Sequence, residues 1–177
     1  LKKFLELIRS LSAKGAILAY HDRSDGGLAA ALCEMMFASH VGVEIVADAL
    51  VSKDRTLNQA LFNEELGAVI QVARGRAAEV ERDFEAAGMG WSLKYLGNLT
   101  QDDHLNIYLE GKCVLSEDRV DLQKAWNEVS WQIARMRDNP ECADSEYELI
   151  SDKHIGGLVL TMGFDPEENL AAPFINT

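Results

Sequence analysis

One polar stretch, residues 19–28, has the residue types and spacing that could hold a metal-bound phosphate; it reads Ala-Tyr-His-Asp-Arg-Ser-Asp-Gly-Gly-Leu. Asp22 supplies a hard carboxylate oxygen, the kind of ligand that Mg²⁺ uses alongside substrate phosphates. Ser24 supplies a hydroxyl that can hydrogen-bond a phosphate or a nucleotide oxygen. Gly26 and Gly27 have no Cβ, so the backbone there can come close to a ligand.

The elements predicted on either side of this stretch would place it beyond the end of a strand. Residues 16–20 are a short apolar run, which predicts a buried strand. Residues 26–39 carry apolar side chains at helical spacing, which predicts a helix. Ligands of α/β sheets bind just outside the carboxyl ends of strands. The start of the helix also exposes unpaired N–H groups and a partial positive charge, which favours an anion.

A purely structural interpretation of the same residues stays open. Ser24 or Asp25 could serve only as a helix N-cap, and the two glycines could serve only as a turn. The stretch is not a Walker loop, because no Gly-Lys-Ser or Gly-Lys-Thr follows it.

Three further polar residues are candidates whose roles the sequence leaves open. His21 could act as an acid or base, or could be a hydrogen-bonded structural residue. Glu64 and Glu65 precede an apolar strand predicted at residues 67–72. Adjacent side chains on a strand alternate in direction, so at most one of the two carboxylates would face a site. Either could bind a metal or substrate, or both could lie at a solvated helix end.

The whole pattern predicts a layered α/β domain whose sheet is mixed and covered by helices. Helices and strands alternate, and Glu110-Gly111 predicts a tight hairpin. The long helix at 120–137 places five apolar side chains on one face: Leu122, Trp126, Val129, Ile133 and Met136. Trp126 and Trp131 do not share a face, so we expect one in the core and the other against the C-terminal segment or an absent partner. The remaining elements are predicted as helices near 4–11, 56–63 and 76–87 and strands at 41–46, 91–96, 104–109 and 112–115.

Charge and composition exclude several classes of function. The 177 residues include 17 basic and 29 acidic side chains, a net charge of −12, which argues against a general nucleic-acid binder. No apolar run approaches the ~20 residues that span a bilayer. Residues 138–177 hold nine of the acids, one base and all three prolines, and we predict an acidic linker or strap there, after a domain at 1–137.

The cysteines and the first residue suggest where the chain belongs. Cys33, Cys113 and Cys142 are odd in number and widely spaced, which predicts reduced thiols in a cytoplasmic protein rather than disulfides or a zinc site. The chain begins with Leu1 and not with Met, so we expect a piece of a longer protein or a processed one.

Several separate motifs resemble one family. Residues 21–28, followed by Glu34-Met35 and Gly42-Val43, are similar to the second half of phosphoribosylformylglycinamidine synthase in its long, fused bacterial form. Residues 62–72 resemble the same region of that family. Residues 131–132, 137–143 and the closing Ala-Ala-Pro-Phe at 171–174 resemble the link to its glutaminase domain.

This resemblance implies a fold, a reaction and partners. The fold would be that of the aminoimidazole ribonucleotide synthetase superfamily. The chain would be the C-terminal lobe of the second synthase half, followed by the linker to the glutaminase domain. The full enzyme would use ATP and glutamine to convert formylglycinamide ribonucleotide to formylglycinamidine ribonucleotide in purine biosynthesis. Its partners would be the remaining synthase lobes and the glutaminase domain, and the face left uncovered here leaves self-association open.

The resemblance also implies roles for two residues. The second half of long family members holds an auxiliary nucleotide, ATP or ADP, with Mg²⁺, and the matching positions are Asp22 for the metal and Ser24 for the nucleotide. No catalytic residue of the family falls in this chain, so we expect the isolated chain to be inactive. The alternatives are a stand-alone interaction or scaffold domain without a nucleotide, and a thiamine-phosphate or selenophosphate kinase lobe. Residues 131–143 disfavour the kinases, which have no glutaminase to connect to.

Overall fold

The chain folds into two sheets with helices packed against them. A computed structural model describes residues 1–152, Thr161 and Gly163. The helices are α1 (Lys2–Ala13), α2 (Gly27–Ser39), α3 (Leu57–Phe62), α4 (Ala77–Ala86), α5 (Arg119–Arg137) and α6 (Pro140–Glu148). The strands are β1 (Ile17–Asp22), β2 (Gly42–Val46), β3 (Ala68–Val72), β4 (Gly97–Thr100), β5 (His104–Leu109) and β6 (Lys112–Asp118).

The larger sheet is mixed, as predicted. It has four strands in the order β4-β2-β5-β6, in which β2 and β5 run parallel and the outer pairs run antiparallel. The smaller sheet is the antiparallel pair β1-β3. Helix α2 contacts strands of both sheets, so it joins them into one layered structure. The predicted fold class, a layered α/β domain with a mixed sheet and covering helices, is confirmed.

Two apolar clusters hold these elements together. The first lies between α2 and the four-stranded sheet and includes the fully buried Met36, Ile45 and Ile107. The second lies between α1, α4 and the two-stranded sheet and includes Leu11 and Phe84. Burying a side chain of this size stabilises the fold by roughly 1.5–3 kcal/mol. The position of α2, and therefore of the turn before it, is set mainly by the first cluster.

The strand predicted at residues 16–20 exists, but the prediction that it is buried is wrong. In β1 the side chains alternate between partly buried and exposed, and Leu18 is 59% exposed and Tyr20 44%. The reason is that β1 lies in a two-stranded sheet, in which β3 is its one neighbour among the described strands. The strand is also longer than predicted, because His21 and Asp22 belong to it.

The strand predicted at residues 91–96 is wrong as well. A single 3-10 turn covers Gly90–Ser92, and the strand begins only at Gly97. A Cβ at Gly97 would lie 1.8 Å from the Glu44 carbonyl oxygen, so the backbones of β4 and β2 approach there as only glycine allows. The apolar residues that suggested the earlier strand include Trp91, which is exposed.

The long helix α5 is confirmed, but its predicted apolar face is partly buried only at Leu122, which packs against the first cluster, and is exposed from Trp126 onwards. Trp126 is 60% exposed and Val129 69%, so neither lies in the core. Trp131 instead stacks on Tyr147 of α6, with ring centroids 4.3 Å apart, so it does contact the C-terminal segment. Helix α6 was not predicted, and Asn139 caps its start through hydrogen bonds from the backbone N–H groups of Glu141 and Cys142.

Two ion pairs also connect α6 to α5. Lys124 of α5 pairs with Glu148 of α6 at 3.1 Å, and Arg135 pairs with Asp144 at 2.6 Å.

The division of the chain after residue 137 stays a prediction. Most of the predicted linker, residues 153–160, 162 and 164–177, lies outside the described residues, as does the Ala-Ala-Pro-Phe motif.

Within the described residues, every helix is too short or too polar to cross a membrane. The three cysteines, which lie in the same part of the chain, are all free thiols. Burial raises the pKa of the Cys33 thiol to about 11, so this thiol stays protonated at neutral pH.

Candidate functional site

The turn between β1 and α2 lies at the carboxyl end of a strand, as predicted. Asp22 is the last residue of β1 and follows Leu18 and Tyr20 on the exposed face of that strand. The Arg23 N–H donates to the Gly67 carbonyl at 2.9 Å, which continues the pairing of β1 with the chain before β3 by one step. The pairing fixes the backbone directly beside Asp22.

Asp22 and Ser24 form a hydrogen-bonded pair at the surface. The Ser24 hydroxyl donates to Asp22 Oδ2. This hydrogen bond is the main cause that lowers the pKa of the Asp22 carboxyl below its usual value. Both side chains are exposed. An ionised carboxylate with an adjacent hydroxyl is therefore open to a cation or ligand from the solvent.

The N-cap interpretation of Ser24 and Asp25 does not fit the structure. The N-cap of α2 is Gly26, with φ 77°, and no side chain caps the helix from that position. Ser24 uses its hydroxyl for Asp22 instead.

Gly27, in contrast, has a structural reason to be glycine. Its φ is +70°, and a Cβ there would lie 2.7 Å from the Leu61 carbonyl oxygen. The first turn of α2 thus packs directly on the backbone at the end of α3. This contact brings the segment that carries Glu64 and Glu65 beside the turn.

Glu64 reaches the start of α2. Its Oε1 accepts a hydrogen bond from the Gly26 N–H at 3.1 Å, so a carboxylate lies at the positive end of the helix. A phosphate that used this N–H group would have to displace Glu64.

Glu65 points the other way and joins two arginines. Its Oε1 lies 2.8 Å from Arg23 Nη1 and 2.5 Å from Arg55 Nη2. The hydrogen bond from Arg55 is the largest of the causes that lower the pKa of the Glu65 carboxyl. Of the two adjacent carboxylates, therefore, Glu64 faces the turn, and Glu65 is held by ion pairs rather than left at a solvated helix end.

His21 has hydrogen-bond partners at both ring nitrogens. Nε2 lies 2.9 Å from Glu34 Oε2 of α2, and Nδ1 lies 2.6 Å from the Asp22 carbonyl oxygen. These contacts tie the end of β1 to α2. They favour the structural interpretation of His21 over an acid or base role, because neither nitrogen is left for a substrate.

The donor chemistry of the turn fits part of a Mg²⁺ site. Mg²⁺ takes one or two carboxylates, several waters and phosphate oxygens. Asp22 supplies one such carboxylate. Within residues 1–152, Thr161 and Gly163, no group of three or more His, Cys, Asp or Glu side chains could hold a metal ion. A complete site would therefore need ligands from elsewhere.

Sequence reasoning found Asp22 and Ser24 but missed the two arginines. In the sequence, Arg23 is only one member of the motif, and Arg55 belongs to no motif. The one available signal was a basic residue inside an otherwise acidic and polar stretch, which indicates a nearby carboxylate.

Comparison with known proteins identifies the family. A family model, the C-terminal domain of AIR synthase related proteins, matches residues 1–110. The chain belongs to this family. The AIR synthase related domain thus covers both sheets except for β6, and it contains the turn with Asp22 and Ser24.

Solved structures share the fold of this AIR synthase related domain. T. maritima PurL solved with FGAR has a TM-score of 0.60 at 16% identity, and the match covers 68% of this chain and 20% of that one. Phosphoribosylformylglycinamidine synthase II from Thermotoga maritima has a TM-score of 0.58 at 15% identity, covering 67% and 20%. A chain of the HypE–HypF complex has a TM-score of 0.54 at 21% identity, covering 64% and 39%.

These identities establish a common fold, not a common activity. The chain spans about a fifth of the length of the PurL chains that it matches. T. maritima PurL has also been solved with ATP and with ADP.

Proposed function

We propose that the chain is the C-terminal lobe of the second synthase half of a long, fused phosphoribosylformylglycinamidine synthase. In this proposal Asp22 and Ser24 form one side of an auxiliary site for Mg²⁺ and ATP or ADP. The observation that carries it is the Asp22–Ser24 pair, exposed beyond the carboxyl end of β1 and directly before α2.

Membership of the AIR synthase related family supports a nucleotide role. Structures with the same fold include PurL bound to FGAR and PurL bound to ATP. The motif at residues 21–28 and the segments at 131–132 and 137–143 support the finer assignment to the fused form.

Each residue of the turn would have a distinct part in holding the ligand. The Asp22 carboxylate would bind Mg²⁺, and the Ser24 hydroxyl would hydrogen-bond the nucleotide. Bound Mg²⁺ would neutralise the phosphate charge. That charge matters here, because Asp22, Asp25 and Glu64 make the surface around the turn acidic, and a bare nucleotide would be repelled.

The surroundings of the turn support a site completed by a neighbouring lobe. Leu18 and Tyr20 are exposed on the face that carries Asp22, and Phe62 and Leu66 are exposed on either side of Glu64. Exposed apolar side chains with polar residues at their rim are typical of a surface that binds another protein surface. One carboxylate and one hydroxyl are also too few to offset the entropy cost of binding a nucleotide.

The proposal assigns catalysis to the rest of the enzyme. The full protein would convert formylglycinamide ribonucleotide with ATP and glutamine, and its remaining lobes and glutaminase domain would be the partners of this chain. The isolated 177-residue chain is then expected to show neither ATPase nor glutaminase activity. Turnover by the chain alone would contradict this assignment.

Nucleotide that co-purifies with the protein tests the site. The chain is expressed together with the lobe that precedes it in the full-length protein, and the bound ADP or ATP is measured by absorbance and mass. We expect bound nucleotide in the wild type and its loss in Asp22→Asn. Asp25→Asn is the matched control, because it removes the same charge three residues away and should keep the nucleotide. Wild-type protein without bound nucleotide would contradict the proposal. Equal loss of nucleotide from Asp22→Asn and Asp25→Asn would contradict it as well.

A second candidate function is an interaction domain without a nucleotide. The observation that favours it is the apolar face of α5, where Trp126, Val129, Ile133 and Met136 are exposed. The co-purification experiment separates the two, because an interaction domain would carry no nucleotide in any variant.

A further inference from the structure

We infer that Glu65 is a positioning residue that acts through Arg23 to hold Asp22 and Ser24 in place. The inference gains its importance from the proposed nucleotide site, although the geometry that it describes exists without a ligand. The hydrogen-bond partners of Glu65 are Arg23, Arg55 and Asn63, so it acts on Asp22 and Ser24 through another residue.

Arg23 is the link, because it lies between the two site residues in the chain. Its side chain is only 11% exposed, whereas Asp22 and Ser24 are exposed. Nη1 binds Glu65 at 2.8 Å, and Nη2 donates to the Ala60 carbonyl at 2.9 Å. With its N–H also bound to the Gly67 carbonyl at 2.9 Å, residue 23 is fixed by both backbone and side chain.

Fixing residue 23 restricts the residues before and after it. Ser24 reaches Asp22 across Arg23, so the hydrogen bond between them depends on the backbone angles at residue 23. A free Arg23 would let the turn sample conformations in which the hydroxyl and the carboxylate separate. A ligand would then have to pay the entropy of ordering them again.

Glu65 is itself held from two directions. Arg55 binds the same Oε1 at 2.5 Å, and the Glu65 N–H donates to Asn63 Oδ1 at 2.6 Å. Arg55 belongs to a loop closed by the Ser52–Arg55 bridge. The carboxylate of Glu65 therefore links the loop at 52–55 to the turn after β1, where Arg23 lies 42 residues before Glu65 in the chain.

The same lobe offers a matched control. Glu79 on α4 also binds an arginine, with both carboxylate oxygens 2.9 Å from Arg76, whereas Glu65 lies in the segment between α3 and β3. Glu65→Gln and Glu79→Gln each remove one charge from an arginine pair. Only the first should affect the turn.

Nitrogen-15 relaxation of the 177-residue chain measures the effect without any ligand. We expect backbone order parameters at Asp22 and Ser24 to be about 0.85 in the wild type and to fall below about 0.6 in Glu65→Gln. Glu79→Gln should leave them unchanged. Arg23→Gln should reproduce the loss, and Glu65→Gln in that background should add nothing further, since Glu65 acts through Arg23.

The nucleotide retained on co-expression with the preceding lobe provides the second measurement. We expect Glu65→Gln to lower the amount of ADP bound per protein molecule by about threefold to tenfold. Glu79→Gln should leave that amount unchanged. If Glu65→Gln does not fold, Arg55→Gln replaces it, with a smaller loss of order at the same two residues. Unchanged order parameters in these variants would overturn the inference. Absence of nucleotide from the wild type would instead overturn the proposed function and leave the ordering result to decide this one.

Discussion

The two sheets of this domain differ in how deeply their strands are buried. In the four-stranded sheet, Ile45 and Ile107 are fully buried under α2. In the two-stranded sheet, β1 leaves Leu18 and Tyr20 exposed and ends at Asp22. Both sheets contact α2. The apolar core between α2 and the four-stranded sheet therefore fixes the helix whose first turn lies beside the end of β1.

The part of the structure that contributes most to stability is therefore different from the part that carries the proposed binding site. The free energy of folding comes mainly from the apolar core between α2 and the four-stranded sheet, because burial of apolar side chains is the dominant favourable term. Strand β1 of the two-stranded sheet instead ends beside the exposed, hydrogen-bonded pair of Asp22 and Ser24. Such a division is expected of a lobe whose site is finished by another part of the protein.

The largest effect that tests the comparison is the loss of a core side chain. Ile107→Ala should destabilise the fold by about 2–5 kcal/mol, because it leaves a cavity in the core between α2 and the four-stranded sheet. Leu18→Ala on β1 is the control and should cost less than about 1 kcal/mol, because Leu18 is already exposed. Urea unfolding measures both. Similar losses in the two variants would show that the sheets do not differ as described.

A smaller effect tests how the contact between α2 and the end of α3 positions the turn. Gly27→Ala would place a Cβ against the Leu61 carbonyl at a positive φ, so we expect a loss of about 1–3 kcal/mol in the free energy of unfolding. Gly75→Ala is the control, since no atom lies within 4 Å of its added Cβ, and it should stay within about 0.5 kcal/mol of the wild type. If thermal unfolding ranks the two variants the other way, the close contact between α2 and α3 is not tight.

The smallest effect concerns the pKa of Asp22. Because the folded pKa lies below the unfolded value of about 3.9, ionised Asp22 stabilises the fold above that pH, and the contribution is lost as the pH falls through the folded pKa. Ser24→Ala removes the main cause and should raise the pKa of Asp22 towards its usual value. Carbon-13 NMR of the carboxyl groups measures the titration.

Asp138 serves as an internal reference in the same spectra. Its pKa is also lowered, but by Arg137, so Ser24→Ala should not change it. A Ser24→Ala titration in which Asp22 does not move would mean that the two side chains are not paired in solution.

Local patterns in the sequence were enough to predict most of the elements. The helical spacing before Ser39 predicted α2, and the tight turn at Glu110-Gly111 predicted the hairpin of β5 and β6, where both residues adopt positive φ. Asp22 and Ser24 were found because they lie two residues apart in one motif. Each of these features depends on residues that are close together in the chain.

The features that sequence reasoning missed depend on distant parts of the chain. Arg23 and Glu65 are 42 residues apart, and no short pattern connects them. The exposure of β1 depends on how many strands join its sheet, which a run of apolar residues does not reveal. The start of β4 at Gly97 depends on a backbone approach to Glu44 that exists only in the folded sheet.

The proposal that the turn after β1 holds a metal-bound nucleotide is tested most directly by a crystal of this chain with the lobe proposed to precede it and Mn²⁺–ADP. The anomalous signal of Mn²⁺ locates the metal independently of the protein coordinates. We expect the ion bound to a carboxylate oxygen of Asp22, at about the 2.0–2.2 Å of a hard-cation bond, with the Ser24 hydroxyl hydrogen-bonded to the nucleotide. A nucleotide and metal bound elsewhere, with Asp22 and Ser24 still paired only to each other, would contradict the claim.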